Sequence, residues 1–147
     1  MRSFGKAAIA SAITILTLSQ ALADAKTDSL QLRKSVVDGL FTYIELGENS
    51  DGRSKALGIA MEEKVQVPVA KAQSEWQEIA KNSSDAAAYE TYKMCDTAAS
   101  SLLNIVKIIA GYIKSDSTQE PEYDSALAKL GADLTECEKV LDVQRTF

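Results

Sequence analysis

The sequence predicts an all-α fold, an up-and-down bundle of about four helices in a single domain. Three observations support this prediction. Apolar residues recur at spacings of three and four along most of the chain. Short polar stretches separate these periodic segments, and the alternation of apolar and polar residues that is typical of a strand is confined to residues 65–69.

Residues 1–23 have the composition of a secretory signal peptide. Two basic residues precede an uncharged run of small and apolar residues at 7–18. Ala21 and Ala23, separated by Leu22, then provide the small-x-small pattern that signal peptidase recognises. The apolar run is shorter than the roughly 20 residues needed to cross a bilayer. We therefore expect cleavage before Asp24, a mature single domain over residues 24–147 that is periplasmic or secreted, and no stable insertion into a membrane.

The charge of the chain and its lack of histidine argue against several classes of partner and cofactor. The sequence contains 16 basic and 21 acidic residues, has no histidine and carries a formal net charge of −5. An acidic domain repels nucleic-acid phosphates and anionic membrane surfaces, so we expect neither as a partner. Di-iron sites in bundles depend on histidine, and haem ligation usually does, so we expect no metal and no cofactor.

The first predicted helix begins at Asp28 or Ser29, whose side chains can cap free backbone amides, and it ends near Gly47. Residues 51–52 then supply turn chemistry. The expected core face of this helix is formed by the apolar residues Leu30, Val37, Leu40, Phe41 and Ile44.

The second predicted helix spans residues 54–81 and is interrupted near Pro68. Proline has no amide hydrogen to donate within a helix, yet the apolar register continues on both sides of it. The residues in this register are Leu57, Met61, Val65, Val69, Ala72, Trp76 and Ile79. The pattern predicts one helix kinked at Pro68 or two collinear helices, with a short strand at residues 65–69 as the alternative. We expect Trp76, the single tryptophan, in the core, with an interface anchor as the alternative role.

Two further amphipathic helices follow, joined by a polar link at residues 115–120. The third predicted helix spans residues 85–113, and the fourth begins at Pro121, a residue that suits the first turn of a helix. The apolar residues in register are Ala88, Tyr92, Cys95, Ala99, Leu102, Val106, Ile109 and Ile113 in the third helix, and Tyr123, Leu127, Leu130, Leu134, Cys137 and Leu141 in the fourth. The tail from Asp142 is expected to fray.

Cys95 and Cys137 are predicted to form a disulfide that joins the third and fourth helices. An exported chain with two cysteines is expected to pair them in an oxidising compartment. In an antiparallel hairpin, Cys95 lies about 27 Å from the predicted turn and Cys137 about 22 Å, so the two heights agree to within a helical turn. A redox role is not expected, because catalytic pairs usually lie close together in a Cys-x-x-Cys turn.

No catalytic residue is assigned. Adjacent acidic residues, such as Glu62 and Glu63, point about 100° apart on a helix and do not converge on a substrate. The serines have no histidine that could act as a base. The sequence therefore predicts a protein that is not an enzyme.

The carboxyl end of the third predicted helix is apolar over roughly 220° of its circumference, more than one neighbouring helix requires. One interpretation is that this helix is central, with neighbours on several sides. The other is that Ile105, Ile108 and Tyr112 remain exposed and bind a protein partner or a second copy of the chain. Tyr89, at the margin of the expected core, is a further candidate contact residue.

Together these features predict an exported protein that acts by binding another protein. The first hypothesis is a periplasmic inhibitor or immunity protein, because a small, acidic, disulfide-stapled domain suits the covering of a basic cleft on an exported toxin or hydrolase. The second hypothesis is an accessory subunit of an envelope secretion or conjugation apparatus. In that case the apolar end of the third helix would be the docking surface.

Overall fold

The computed structural model describes residues 7–50, 54–115 and 123–146. No strand occurs among these residues, and the predicted all-α class is confirmed. The predicted turn at 51–52, most of the polar link at 115–120 and Pro121 lie outside the described residues. The helices are α1 (Ala7–Glu48), α2 (Lys55–Met61), a π-helical segment (Glu62–Gln66), α3 (Val67–Asn82), α4 (Ala86–Glu90), α5 (Lys93–Lys114) and α6 (Asp124–Leu141).

Helix α1 is longer than predicted and buries a different face. It has 42 residues and passes through Asp28 and Ser29, so neither residue caps it. The predicted core face is partly wrong, because Phe41 is 55% exposed and Ile44 is 38% exposed. The buried residues of α1 include Ala25, Ser29, Leu32, Val36 and Leu40. Periodicity did not indicate this face because a serine occupies one of its central positions, where its hydroxyl accepts a hydrogen bond from Trp76.

Gly39 allows α1 to lie close to its neighbours. A Cβ atom built at Gly39 would be 2.7 Å from Cγ2 of Val69 and 3.1 Å from Cδ2 of Leu102. Both distances are shorter than ordinary van der Waals contact between carbon atoms. The backbone of α1 therefore packs directly against apolar side chains of α3 and α5.

The second predicted helix is one helical run that contains a π-helical segment. Ser54 caps α2, because its Oγ accepts a hydrogen bond from the backbone N–H of Leu57 at 3.1 Å. The short strand considered for residues 65–69 is wrong, since these residues are helical. Pro68 lies in the first turn of α3, directly after the π-helical segment, whose wider turn departs from regular α-helical bonding. A kink at Pro68 stays a prediction.

The third predicted helix is in fact two helices, α4 and α5, and the prediction of one continuous helix over residues 85–113 is wrong. Tyr92 lies between them with φ −110° and ψ 12°. The N–H of Tyr92 donates to the carbonyl of Tyr89 at 2.9 Å, and the N–H of Cys95 donates to the carbonyl of Tyr92 at 2.9 Å. Tight three-residue turns therefore interrupt the regular ladder. The apolar register continues across the break, because Ala88, Tyr92 and Cys95 are all buried.

Helices α5 and α6 form an antiparallel pair joined by the predicted disulfide. Cys95 is bonded to Cys137 with a Cα–Cα distance of 4.7 Å. Six residues further along α5, Ser101 donates a hydrogen bond to Asp133, four residues earlier on α6, which fixes the antiparallel direction. Both cysteines are fully buried. The disulfide prediction is therefore confirmed.

Helix α5 is the central element of the bundle. It contacts α1, α2, α3, α6 and the π-helical segment. Its buried residues are Cys95, Ala98, Ala99, Ser101, Leu102, Ile105 and Val106. Burial on several sides accounts for most of the wide apolar face that the sequence indicates.

Residues 142–146 of the carboxyl-terminal tail are hydrogen-bonded to the helices, contrary to the expectation that the tail frays. The N–H of Val143 donates to the carbonyl of Glu138 at 3.1 Å, and the N–H of Thr146 donates to Oε2 of Glu138 at 3.0 Å. Arg33 on α1 donates to Oε1 of Glu138 at 2.6 Å and to the carbonyl of Gln144 at 3.2 Å. The tail is held because it supplies partners to a carboxylate that is only 1% exposed.

Candidate functional site

A polar and aromatic cluster joins α1, α3 and α4 at one side of the bundle. The indole N–H of Trp76 donates to Oγ of Ser29 at 2.9 Å, and the hydroxyl of Tyr89 donates to Oδ2 of Asp28 at 2.6 Å. The two aromatic rings are packed edge to face with centroids 5.7 Å apart. Each of the two buried aromatic residues therefore has its polar atom bonded to α1, which fixes the position of α3 and α4 against that helix.

Two adjoining depressions open beside this cluster. The larger has a volume of 690 Å³ and is lined by Glu75, Glu78, Ile79, Asn82, Ser83, Ser84 and Tyr89. The smaller has a volume of 310 Å³ and is lined by Asp28, Gln31, Leu32, Ser35, Ala72, Glu75, Trp76 and Ile79. Because they share Glu75 and Ile79, they form one concave surface. We call this surface, defined by the lining residues of both depressions, the acidic furrow.

The acidic furrow carries charge of one sign. Its charged lining residues among those described are Asp28, Glu75 and Glu78, with no lysine or arginine. Glu75 has an exposed neighbour, Lys71, at 3.7 Å, a pairing that contributes little in water. A third depression, of 430 Å³ between α3 and the α4–α5 junction, contains both lysines and carboxylates in its lining. The charged residues that line the furrow are thus all acidic, unlike those of the third depression.

Tyr89, which lines the furrow, is a hydrogen-bond donor to Asp28. Burial, the hydrogen bond to Asp28 and the negative charges of Asp28 and Asp24 together raise the pKa of Tyr89 to about 12. The phenol consequently stays protonated at neutral pH. Its hydrogen is directed to Asp28, so the carboxylate is held in place beside the aromatic rings.

The structure assigns different positions to the predicted contact residues. Ile105 is fully buried, so the alternative in which it remains exposed is wrong for this residue. Tyr89, expected at the margin of the core, is 6% exposed. The ring of Tyr89 packs on Trp76, and Tyr89 also lines the furrow. Ile108 and Tyr112 are partly exposed and lie outside the buried core. Trp76 is 7% exposed, which confirms its predicted core position.

The polar groups nearest to a catalytic arrangement are Ser101, Asp133 and Lys129. The hydroxyl of Ser101 and the ammonium group of Lys129 both donate to Oδ2 of Asp133 at 2.5 Å. Ser101 is 7% exposed, as is Asp133, and neither lines any of the depressions described above. The bond from Ser101 joins α5 to α6, and the bond from Lys129 lies within α6. We interpret both as structural.

Within the described ranges, no group of three or more cysteine, aspartate or glutamate side chains is arranged to hold a metal ion. Of the helices in the described part of the chain, none combines the length and apolar character that crossing a bilayer requires. None of the protein-family models, curated proteins or solved structures compared with the chain matches it.

Proposed function

We propose that this chain is an exported, non-enzymatic binding protein, a periplasmic inhibitor or immunity protein that occludes a basic surface on a toxin or hydrolase. The observation that carries the proposal is the acidic furrow. Export and removal of residues 1–23 before Asp24 are part of the proposal. The proposed architecture is the up-and-down bundle of about four helices, counting α2 with α3 and α4 with α5, with a kink at Pro68.

The furrow combines the two kinds of contact that a basic protein segment needs. Asp28, Glu75 and Glu78 can pair with lysine or arginine side chains. Ile79, which lines both depressions and is 45% exposed, offers an apolar contact. Charge complementarity of this kind accelerates association with a basic partner and disfavours acidic ones.

The walls of the furrow are held by interactions within the chain. The bonds from Trp76 to Ser29 and from Tyr89 to Asp28 connect its three helices. The disulfide joins α5 to α6. A surface that is already ordered before binding loses less conformational entropy in the complex, which suits a protein that acts by occlusion.

The test is capture of partners from the native periplasm with a matched pair of charge-reversed variants. Glu75→Lys with Glu78→Lys reverses the furrow, and Glu45→Lys with Glu48→Lys makes the same change in net charge on an exposed part of α1. We expect the wild type and the α1 variant to capture the same basic protein in a stoichiometric complex and inhibit it, and the furrow variant to lose both properties. Equal capture by both variants, or capture of an acidic protein, would contradict the proposal.

The second candidate function is an accessory subunit of an envelope secretion or conjugation apparatus. The observation in its favour is that Ile108 and Tyr112, at the carboxyl end of α5, remain partly exposed outside the core. The same surface could bind a second copy of the chain. Ile108→Asp should then abolish the complex or dimer in size-exclusion chromatography while the helical circular-dichroism signal is retained. Unfolding of this variant would show instead that Ile108 belongs to the core.

A further inference from the structure

We propose that a cavity between α2 and α5, separate from the acidic furrow, binds a small amphipathic anion: an apolar body that carries one carboxylate group. The cavity has a volume of 290 Å³. Its apolar lining consists of Gly58, Ile59, Ala110 and Ile113, and its basic lining residues are Lys55 and Lys114. This inference does not depend on the proposed inhibitor function.

The size and lining of the cavity suit a small apolar group. Ligand pockets range from about 300 to 1,000 Å³, and an apolar cavity of about 150 Å³ takes up benzene. A cavity of 290 Å³ therefore has room for a ring or a short alkyl chain, but not for a large cofactor. Ile59 is 47% exposed, so a ligand there would cover apolar surface that is otherwise in contact with water.

Gly58 contributes to the space between the helices. A Cβ atom built at Gly58 would lie 3.5 Å from Cγ2 of Ile113, in ordinary contact. A larger side chain at this position would project into the cavity toward α5. A substitution at Gly58 can thus fill the cavity from α2.

The charge of the cavity is opposite in sign to that of the protein. Lys55 and Lys114 line it with Glu62 as the single acidic residue, whereas the whole chain has a net charge of −5. Among the described residues, neither lysine forms an ion pair, although six other basic side chains do. Two ammonium groups beside an apolar surface favour a carboxylate attached to an apolar body.

The experiment is a titration of the isotopically labelled protein with sodium octanoate, followed by NMR of amide and methyl groups. We expect saturable shifts centred on Ile59, Ala110 and Ile113. Octanol has the same chain without the charge, and octyltrimethylammonium has the opposite charge; both should bind at least about tenfold more weakly, since each lacks the pairing with the ammonium groups. Equal binding of octanoate and octanol, shifts centred elsewhere, or no saturation would overturn the proposal.

Two pairs of variants locate the site. Gly58→Leu should abolish octanoate binding, whereas Gly111→Leu, at a helical position where a Cβ meets nothing within 4 Å, should leave it unchanged. Lys55→Glu with Lys114→Glu should weaken binding at least about tenfold, and Lys71→Glu with Lys81→Glu should not. Unchanged binding in Gly58→Leu or in the Lys55 and Lys114 variant would refute the assignment. If Gly58→Leu fails to fold, the lysine variants and the comparison with octanol decide the question.

Discussion

Replacement of Glu138 by glutamine should destabilise the protein strongly, although it only exchanges one carboxylate oxygen for an NH₂ group. The carboxylate is 1% exposed and accepts from Nε of Arg33 at 3.1 Å, from Nη2 of Arg33 at 2.6 Å and from the N–H and hydroxyl of Thr146. Glutamine keeps one oxygen acceptor but places an NH₂ group among donors. It also removes the charge that compensates Arg33.

The magnitude follows from the burial of the pair. Breaking a fully buried ion pair costs about 3–5 kcal/mol, and hydrogen bonds to a charged group contribute about 1.5–3 kcal/mol each. Arg33 is 23% exposed, so water can solvate it in part after the change. We therefore expect Glu138→Gln to lower the free energy of unfolding by about 2–3 kcal/mol at pH 7. Glu136→Gln, on the exposed side of α6 beside Lys139, should change it by less than about 0.5 kcal/mol.

The direction in which the pKa of Glu138 is shifted determines how the free energy of unfolding depends on pH. Burial alone would raise the pKa of Glu138, but hydrogen bonds from Thr146 and Arg33 and the charge of Arg33 outweigh it and hold the pKa below its usual value. The stabilisation is therefore fully present above the unfolded-state pKa of about 4.3 and is lost as the pH falls through the lower folded-state pKa. Urea unfolding followed by circular dichroism at several pH values measures this.

The difference between wild type and Glu138→Gln should be constant from pH 7 to about pH 5 and should shrink in more acidic solution. The double variant Arg33→Met with Glu138→Leu should be more stable than the sum of its single changes predicts, because neither charge is then left alone. A glutamine variant as stable as the wild type at pH 7, or a difference that does not depend on pH, would refute this account of the tail.

Three further predictions concern the packing of the bundle. Mass spectrometry of the non-reduced protein should find no free thiol, and two free thiols would contradict the disulfide. Replacement of Cys95 and Cys137 by alanine should lower the free energy of unfolding by about 4 kcal/mol on the chain-entropy model. Gly39→Ala should destabilise the protein by about 1–2 kcal/mol in thermal unfolding, because the new Cβ would crowd Val69. This loss should exceed the gain from the higher helix propensity of alanine. Gly47→Ala, in open space on the same helix, should not destabilise the protein. Ultraviolet titration should show one of the five tyrosines ionising near pH 12, and Tyr89→Phe should lose that component. The stability due to the bond from Tyr89 to Asp28 is present below the unfolded pKa of about 10 and is lost as the pH rises toward 12. An identical alkaline profile in the variant would contradict this prediction.

The sequence was sufficient for the features that depend on helical spacing. The apolar residues around Cys95 and Cys137 lie on single stripes, so the facing sides of the last two helices and the disulfide could be predicted. The break at Tyr92 could not, because the apolar register continues across it and no proline or glycine marks it. The buried face of α1 could not either, since Ser29 is accommodated there only through a partner that lies 47 positions away, Trp76.

The acidic furrow could not be predicted from sequence patterns, for a related reason. Asp28 belongs to α1, Glu75 and Glu78 to α3, and Tyr89 to α4, and each carboxylate alone resembles an ordinary solvated residue. Only the packing of the three helices brings them to one surface. The cavity between α2 and α5 has the same origin, because Gly58 and Ile113 come from distant parts of the chain.

The π-helical segment sets the rotational phase of α3. Leu57, Met61, Val65 and Val69 are each four residues apart, and in a regular α-helix every such step drifts by about 40°, or about 120° over the three steps. All four are nevertheless buried. The wider turn at Glu62–Gln66 rotates each residue by less than an α-helical turn does and so offsets the drift. The direction in which Glu75, Ile79 and the rest of α3 face the furrow is thus determined several residues upstream, by a segment that does not line it.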